Sequence, residues 1–448
     1  MDSQSVAAIV LAAGKGTRMR SSLPKVMHPI GGRPMVSHLL STIAETGIDR
    51  VVVVVSPDMA EETKALVEAD VAIQDQALGT GHAAQCAMPA IEGFQGTVLI
   101  LFGADPLVST ATLRRLIEAR AGHDAPALVV LGFRPADPAQ YGRLIVGSDG
   151  QLQRIVEYWD ADEATREIDL CNSGVIAADA ASLSSLLGRL SSDNAKGEYY
   201  LTDIVGLACQ DGARCAVVEG DPEELIGIDT RNDLARAEAA FQRQARQSAL
   251  AGGATLIDPE SVWFCFDTKM GADVRIEPNV FFGPGVMVGN GVTIKAFSHL
   301  EGCEIHDGAT VGPFARLRPG AIVGAGAKIG NFVEVKNSQI QTGAKVNHLT
   351  YIGDATVGEN ANIGAGTITA NYDGYRKSKT EIGADVSIGS NAVLVAPVKI
   401  GRGATVGAGT VVREDVAADA LRVTDTRSIE ATHDGWSTKK RTRSEKKT

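Results

Sequence analysis

The sequence predicts two folded domains: an α/β domain with a mostly parallel, Rossmann-like sheet, followed by an all-β domain that forms a parallel β-helix. Three observations predict this fold class. Short apolar segments alternate with helix-like segments in the first half, aliphatic residues recur at every sixth position in the second half, and 448 residues are too many for one hydrophobic core. A period of six fits a solenoid with three flat sides per coil.

Composition and charge narrow the class of protein. The chain has 43 Lys and Arg against 54 Asp and Glu, and a net charge of −11 argues against a general nucleic-acid binder. Six dispersed cysteines without a Cys-x-x-Cys pair predict free thiols in a reducing compartment. The apolar run from Val6 to Ala13 has no basic region before it, which indicates a buried strand, and no run is long enough to span a membrane. We therefore expect a cytoplasmic protein without membrane insertion.

The first domain opens with a phosphate-binding pattern. A predicted strand, Ala7 to Leu11, leads into A-A-G-K-G-T-R-M and then L-P-K. Gly-rich backbone lets amide groups approach a phosphate closely, and Lys15, Arg18 and Lys25 add positive charge. Further elements support an α/β sheet with its ligand at the carboxyl ends of the strands, namely strands at Val51 to Val55 and Val98 to Phe102 and a helix at Met35 to Thr46.

In the second domain, aliphatic residues recur at every sixth position between Val274 and Val412. The aliphatic positions, one facing inward on each side of a coil, are Val274, Val280, Val286 and Val292, then Ile305, Val311, Leu317, Val323, Ile329 and Val335, then Ile382, Ile388, Leu394, Ile400, Val406 and Val412. The register slips between Val292 and Ile305, and Ala370 to Lys379 interrupts the pattern. An insertion in a solenoid has room only outside it, so this segment is expected to be a projecting loop.

These signals predict four regions. The α/β domain covers residues 1–229, a helical linker covers 230–251, the β-helix covers 252–430, and a basic tail covers 431–448. The linker contains one predicted helix, Arg231 to Ala251, that ends at Gly252-Gly253. Six Lys or Arg in the nine residues from Lys439 to Lys447 indicate a solvated, disordered tail.

The order of motifs along the chain resembles a known enzyme family. The segments that carry this resemblance are A-A-G-K-G-T-R-M with L-P-K, Q-A-L-G-T-G-H-A (Gln76 to Ala83), Q-Y-G-R (Gln140 to Arg143), I-V-E (Ile155 to Glu157), N-S-G (Asn172 to Gly174), G-E-Y-Y-L-T-D (Gly197 to Asp203), and, in the β-helix, R-L-R-P-G and G-N-F-V-E-V-K. Together they resemble the bifunctional N-acetylglucosamine-1-phosphate uridyltransferase/glucosamine-1-phosphate acetyltransferases. The resemblance covers roughly residues 5 to 425. It implies an α/β nucleotidyltransferase domain followed by a left-handed β-helix with hexapeptide repeats.

For the first domain the resemblance implies uridylyl transfer from UTP to N-acetylglucosamine 1-phosphate with Mg²⁺, releasing pyrophosphate. Arg18 and Lys25 would act on the phosphates as catalytic cations. The residues implied to bind the UDP-sugar are Leu11, Ala12, Ala13, Gly14, Lys25, Gln74, Gly79, Thr80, Gly142, Glu157, Asn172 and Asp229. Transfer of this kind needs mainly positioning and neutralisation of oxyanions, which these cations and Mg²⁺ provide.

Two departures from the family pattern concern the metal. The family reads Gly-Asp-x-Pro-Leu, whereas this chain has Ala104 at the ligand position and its carboxylate one residue later, at Asp105. Asp229 stands where the family usually has Asn. Along a strand a one-residue shift points a side chain to the opposite face. We expect Asp105 and Asp229 to be the metal ligands, and the alternative is that uridylyl transfer is weakened or lost.

For the β-helix the resemblance implies acetyl transfer from acetyl-CoA to glucosamine 1-phosphate, with His348 as general base and Glu334 helping to orient the amine. The residues implied to bind the acetyl acceptor are Arg318, Lys336, Tyr351, Asn362 and Lys377, and those implied to bind acetyl-CoA are Ala365, Asn371, Tyr372, Ser390 and Ala408. Asp425 replaces an Arg of the family and is expected to weaken cofactor binding, unless Arg422 or Arg427 substitutes. The resemblance also implies a homotrimer with active sites between subunits, and a supply of precursors for bacterial cell-wall synthesis.

Two other functions stay open on the sequence. The chain would be an acetyltransferase alone if Ala104 and Asp229 disable the first site. Alternatively, the β-helix would serve only as a trimerisation scaffold for a nucleotidyltransferase, although His348, Arg318 and Lys377 argue against a scaffold because a scaffold needs none of them.

Overall fold

A computed structural model of the chain describes residues 5–48, 50–61, 63, 69–122, 125–424 and 430–433, the last four by their backbone only. The chain divides into two compact units, residues 1–241 and 242–448. Across the described residues, no helix has both the length and the apolar character needed to cross a bilayer.

The first unit is a sheet of nine strands flanked by helices. The helices whose bounds lie within the described residues are α1 (Met35–Thr46), α2 (Thr80–Ala87), α3 (Thr110–Ala121), α4 (Glu163–Arg166), α5 (Ala180–Leu187), α6 (Asp203–Gln210) and α7 (Arg231–Ala251), of which α7 continues beyond residue 241. The strands, together with the separate β2–β3 hairpin, are β1 (Val6–Leu11), β2 (Pro29–Ile30), β3 (Arg33–Pro34), β4 (Arg50–Val55), β5 (Asp70–Ile73), β6 (Thr97–Phe102), β7 (Leu128–Phe133), β8 (Arg143–Val146), β9 (Leu152–Val156), β10 (Cys171–Asp179) and β11 (Cys215–Glu219).

The sheet has the order β11-β7-β10-β6-β1-β4-β5, and β8 and β9 attach beside β10. Neighbours are parallel except where β10 pairs antiparallel with β6, β7 and β8 and where β8 pairs antiparallel with β9. Two hydrophobic clusters cover its opposite faces, which explains why β1 is apolar along its whole length and β6 is apolar after Thr97. The predicted mostly parallel α/β fold is confirmed.

The second unit is a solenoid of three parallel sheets, each with one strand per coil. The first sheet contains β12 (Thr255–Leu256), β14 (Arg275–Ile276), β17 (Thr293–Ile294), β20 (Thr310–Val311), β23 (Lys328–Asn331), β26 (Lys345–His348), β29 (Asn362–Ile363), β32 (Ser387–Ile388), β35 (Thr405–Val406), β37 (Leu421–Thr424) and β38 (Glu430–His433), the last antiparallel to β37. The second contains β13 (Lys269–Met270), β16 (Met287–Val288), β19 (Cys303–Ile305), β22 (Ala321–Val323), β25 (Gln339–Ile340), β28 (Ala355–Val357), β31 (Thr380–Ile382) and β34 (Val398–Ile400). The third contains β15 (Phe281–Phe282), β18 (His299–Leu300), β21 (Arg316–Leu317), β24 (Glu334–Lys336), β27 (Tyr351–Gly353), β30 (Ile368–Ala370), β33 (Val393–Val395) and β36 (Val411–Val412).

The six-residue period predicted from the sequence is the period of this core. Every aliphatic position of the predicted series is buried in one continuous cluster. The register slip predicted after Val292 is a coil of 17 residues, since Met287 pairs with Glu304 whereas Arg275 pairs with Thr293, 18 residues on. The predicted β-helix is confirmed.

The corner between the first and third sheets shapes the surface that matters below. In each of three successive coils, a phenylalanine there has a positive φ, at Phe297, Phe314 and Phe332, and the next coil has Leu349 in the same conformation. The three rings stack, with centroids 4.9 and 5.1 Å apart, and all four side chains are exposed. We call these four residues the corner ridge.

Candidate active sites

A cavity of about 570 Å³ opens in the first unit where β1 and β6 end. All twelve residues predicted to bind a UDP-sugar line it, at positions 11–14, 25, 74, 79, 80, 142, 157, 172 and 229. The cavity lies at the carboxyl ends of parallel strands, where ligands bind in open α/β sheets.

Positive charge gathers on one side of this cavity. Lys25 Nζ lies 2.9 Å from one carboxylate oxygen of Asp229, and Arg18 Nη2 lies 3.0 Å from the other. Burial alone would raise the pKa of Asp229, yet the two cations hold this pKa below its ordinary value. Arg18 does not line the cavity itself and is largely exposed, so it reaches the cavity wall only through Asp229.

The displaced carboxylate of Asp105 faces the same cavity. Strand β6 ends at Phe102, and the chain then turns, with the Asp105 amide donating to the carbonyl oxygen of Phe102 at 3.0 Å. Because this segment is a turn, the strand rule that sends adjacent side chains to opposite faces does not apply, and Ala104 and Asp105 both line the cavity. Asp105 is 5% exposed, and burial raises its pKa to about 7, with Lys25 opposing and Asp229 adding to the rise.

Asp105 and Asp229 suit a magnesium ion. Mg²⁺ is usually held by one or two carboxylates together with substrate phosphates, and both of these carboxylates line one cavity beside Lys25. The described residues contain no group of three acidic, His or Cys side chains that would hold a metal without a substrate. Burial is the main cause of the raised pKa of Asp105, and a divalent cation beside the carboxylate would lower that pKa.

The far side of the cavity is built for neutral hydrogen-bonding groups. Thr202 Oγ1 donates to Glu157 Oε1 at 3.1 Å, and burial raises the pKa of Glu157. The backbone N–H of Asn172 donates to the carbonyl oxygen of Gly142 at 2.9 Å, which joins two of the predicted sugar contacts. Tyr141, next to Gly142, also lines the cavity and was not predicted from the sequence.

A second cluster of charged side chains covers the outer face of the third sheet in the β-helix. Arg318 Nη1 pairs with Glu334 Oε1 at 2.8 Å, and Lys336 Nζ lies 3.6 Å from Asp354 Oδ2. The neighbouring Lys336 lowers the pKa of Lys377, so the two ammonium groups lie close together. Three of the predicted acceptor-binding cations therefore converge on one surface.

Tyr351 lies across this surface because the residue two positions on is a glycine. A Cβ at Gly353 would collide with the Tyr351 hydroxyl. Asp354 follows, only 7% exposed, and accepts hydrogen bonds from the side-chain amides of Asn337, at 2.6 Å, and Asn371. Asn371 opens the projecting loop predicted from the sequence, so Asp354 ties the base of that loop to the cation cluster.

His348 lies at the end of β26, on the corner between the first and third sheets. Its Nδ1 is 2.7 Å from Asn331 Oδ1, on the coil before. Backbone hydrogen bonds then link the corner from coil to coil, from Gly366 N to His348 O, from Asn391 N to Ala365 O, and from Gly409 N to Ser390 O.

This corner column carries most of the predicted acetyl-CoA residues. His348, Ala365, Ser390 and Ala408 occupy equivalent positions in successive coils, each just before the positive-φ residue of its corner. The corner ridge of large apolar side chains stops at Leu349, and only small side chains or Asn follow. Beyond Leu349 the positive-φ corner positions are therefore Gly366, Asn391 and Gly409, which carry no large apolar side chain.

Three family models match parts of the chain. The MobA-like NTP transferase domain matches residues 8–167, the bacterial transferase hexapeptide matches residues 267–302 and 379–414, and the GMPPB C-terminal domain matches residues 299–373. Among curated proteins, Bifunctional protein GlmU of Paramagnetospirillum magneticum is 56% identical over 94% of both chains. The proteins of the same name from Sphingopyxis alaskensis and Paracoccus denitrificans are 53% and 54% identical, over 96% and 94% of this chain and 95% and 94% of their own. The chain belongs to the GlmU family.

Membership of the GlmU family confirms the predicted family and the predicted bifunctional enzyme, with nucleotidyltransferase and acetyltransferase activities in UDP-N-acetylglucosamine synthesis. The GlmU relatives align over both halves of this chain.

Not every predicted residue joins the two GlmU sites in this chain. Asn362 lies in β29 on the outer face of the first sheet, where it pairs with Lys345 and Ser387 and not with the cation cluster. Tyr372 is 60% exposed on the projecting loop. Asp425 and Arg427 lie outside the described residues.

Sequence reasoning also missed supporting residues of the GlmU sites, chiefly Asp354, Asn331 and Tyr141. A signal existed for two of them. Tyr141 stands inside Q-Y-G-R, and Asn331 stands inside G-N-F-V-E-V-K, both of which carried the resemblance. Asp354 had no such signal, because its positive φ and its burial follow from the corner geometry of the solenoid.

Proposed function

We propose that the two sites catalyse consecutive steps, with the β-helix acetylating glucosamine 1-phosphate and the α/β domain transferring UMP from UTP to the product. The observation that carries the proposal is the pairing of one cavity, lined by all twelve predicted UDP-sugar residues, with a cation cluster and a histidine on the β-helix. UDP-N-acetylglucosamine is then the product that leaves the enzyme, as a precursor for the bacterial cell wall.

In the α/β domain, Lys25 and Arg18 neutralise the phosphates of UTP. These cations now hold Asp229, so phosphate binding draws them from the carboxylate and frees it. Asp105 and Asp229 would hold Mg²⁺, which would supply charge neutralisation for the transferred phosphoryl group. The positions at 11–14, 74, 79 and 80 hold the uridine, and Gly142, Glu157 and Asn172 hold the acetylated sugar.

In the β-helix, His348 is the general base. Asn331 Oδ1 is an acceptor, so it orients the imidazole with Nδ1 protonated and leaves the Nε2 lone pair to take a proton from the sugar amine. The amine nitrogen attacks the thioester carbonyl of acetyl-CoA, and the CoA thiolate leaves and is protonated. Arg318, Lys336 and Lys377 bind the sugar phosphate.

The remaining predicted residues divide between the two substrates of the acetyl transfer. Tyr351 and Asn362 complete the acceptor site, while the corner column and the loop residues Asn371 and Tyr372 hold acetyl-CoA. Because acceptor residues lie on two different sheets of one chain, a second copy is proposed to complete the site.

We propose a homotrimer assembled along the β-helices. The corner ridge supports this assembly, since an exposed row of stacked phenylalanines is the kind of surface that side-by-side packing buries. The six thiols, four of them buried, suit a reducing compartment, and the proposal includes a cytoplasmic location. The net charge of −11 argues against a nucleic-acid partner.

The test measures pyrophosphate release from UTP, N-acetylglucosamine 1-phosphate and Mg²⁺, and CoA release from acetyl-CoA and glucosamine 1-phosphate. Both are measured on the wild type and on Lys25→Ala and His348→Ala. Each variant should lose one signal and keep the other. CoA release alone from the wild type would leave an acetyltransferase whose first site is disabled at Ala104 and Asp105. Pyrophosphate release without CoA release would mean that the β-helix serves only as a scaffold.

A further inference from the structure

The Gln74 side chain is fixed in one orientation at the edge of the uridine cavity. It is 7% exposed and lines the cavity, and its Nε2 lies 3.0 Å from the carbonyl oxygen of Gly79 and 3.1 Å from Nδ1 of His82. A backbone carbonyl can only accept a hydrogen bond, so the atom that faces Gly79 must be the amide nitrogen.

This orientation also fixes the state of His82. One Nε2 hydrogen of Gln74 points to Gly79, and the other points to His82 Nδ1, which must therefore carry a lone pair. The ring N–H of His82 then lies on Nε2, which is 3.9 Å from the Cys86 sulfur. His82 itself does not line the cavity.

The amide oxygen of Gln74 is the polar atom left for a ligand. It has no hydrogen-bond partner among the described residues, and Gln74 faces the cavity. The imide N3–H of uracil is a donor that suits this oxygen. The N3 of cytosine is an acceptor, and it would be repelled by the same oxygen.

The loop around Gln74 is held firmly enough for this orientation to matter. The Tyr199 amide donates to Leu78 O and the Gly81 amide donates to Tyr199 O, each at 2.8 Å. Gly79 has a φ of 110°, and a Cβ there would lie 2.6 Å from Tyr199 O, so only glycine allows this close approach.

We infer that His82 is a positioning residue that selects uracil over cytosine by holding the Gln74 amide with its oxygen toward the base. The inference rests on the proposed uridylyl transfer and identifies the source of its base specificity. Without the His82 acceptor, only the Gly79 contact opposes a flip of the Gln74 amide. A flipped amide would turn its nitrogen toward the base, and N3 of cytosine would accept a hydrogen bond from it.

The test compares UTP and CTP binding to the full chain by isothermal titration calorimetry, with Mg²⁺ and no sugar phosphate, so that the result does not depend on turnover. His82→Leu removes the acceptor, whereas His82→Asn keeps an acceptor oxygen at the position of Nδ1. We expect the preference for UTP over CTP to fall about tenfold in His82→Leu, and to stay within about twofold of wild type in His82→Asn.

Two outcomes would overturn the inference. The wild type would bind CTP as tightly as UTP, or His82→Leu would weaken both nucleotides by the same factor, which is what a purely structural role predicts. Pyrophosphate release by the wild type is scored separately, so failure of the proposed reaction and failure of this inference give different results.

Discussion

Magnesium binding by this chain should depend on pH in a way set by Asp105. Its buried carboxyl has a pKa of about 7, against 3.8 for an unperturbed Asp. Because Mg²⁺ binds the ionised form, affinity should rise with pH up to about 7 and then level off. At pH 5.5 about 3% of Asp105 is ionised, so the affinity should be about 30-fold below its plateau.

The assay is titration with Mn²⁺, a paramagnetic substitute for Mg²⁺, followed by electron paramagnetic resonance between pH 5.5 and 8.5. Asp105→Asn should bind the ion weakly and without this pH dependence. Asp229→Asn is the matched control. The cations beside Asp229 keep its pKa low, so this variant should bind the ion more weakly but keep a pH dependence, shifted to lower pH because Asp229 adds to the raised pKa of Asp105.

A flat pH profile in the wild type would refute the reasoning, and so would a profile that Asp105→Asn leaves unchanged. Either result would mean that the carboxylate beside Ala104 does not serve the metal, and that Asp229 with the substrate phosphates holds the ion alone.

Four further results are expected. Ionising the buried Asp105 carboxyl costs the folded state up to about 4 kcal/mol. Because the folded pKa of Asp105 lies above its unfolded pKa, the folded state avoids this cost below about pH 4 and loses that stability as the pH rises towards 7. Thermal unfolding without metal should then show Asp105→Asn gaining stability at pH 8 and not at pH 4. His348→Ala should lower CoA release by 100-fold or more, within the range of about 10²–10⁴ for general-base catalysis, and leave pyrophosphate release unchanged, whereas equal loss of both would indicate misfolding. Leu317→Ala should cost about 2–5 kcal/mol of unfolding free energy because Leu317 is fully buried, while Val411→Ala, at a residue 37% exposed, should cost much less; equal shifts on thermal denaturation would contradict this. Asp354→Ala should reduce acetyl transfer about tenfold by releasing its lysine and asparagine partners, and an unchanged CoA-release rate would contradict that role.

The β-helix could be predicted almost coil by coil, because each side of a coil contributes one inward residue and burial admits only aliphatic or small side chains there. Leu317 and Val335 pair on neighbouring coils and were both predicted as inward. The outward residues follow no such rule. Lys336 and Asp354 meet because β24 pairs with β27 of the next coil, and Asp354 directly follows β27 at a corner.

In the α/β domain, the order of motifs predicted which residues share the cavity but not how they interact. Phosphate-binding cations such as Lys25 are recognisable by charge and by the glycines before them. Their pairing with Asp229 spans more than 200 residues of sequence and depends on how the sheet brings the two segments together. The Gln74 to His82 contact is closer in sequence, yet it needs the fold of the intervening loop, which Gly79 alone makes possible.

Asp105 shows what decides whether a displaced side chain is lost to a site. Had β6 continued through it, exchange with Ala104 would have moved the carboxylate to the other face of the sheet, away from the ligand. The strand ends at Phe102, however, and in the turn that follows both residues reach the cavity. The displaced carboxylate still faces the cavity, but it is buried there, and this burial raises the pKa of Asp105. The exchange should therefore change the pH at which the metal binds more than whether it binds.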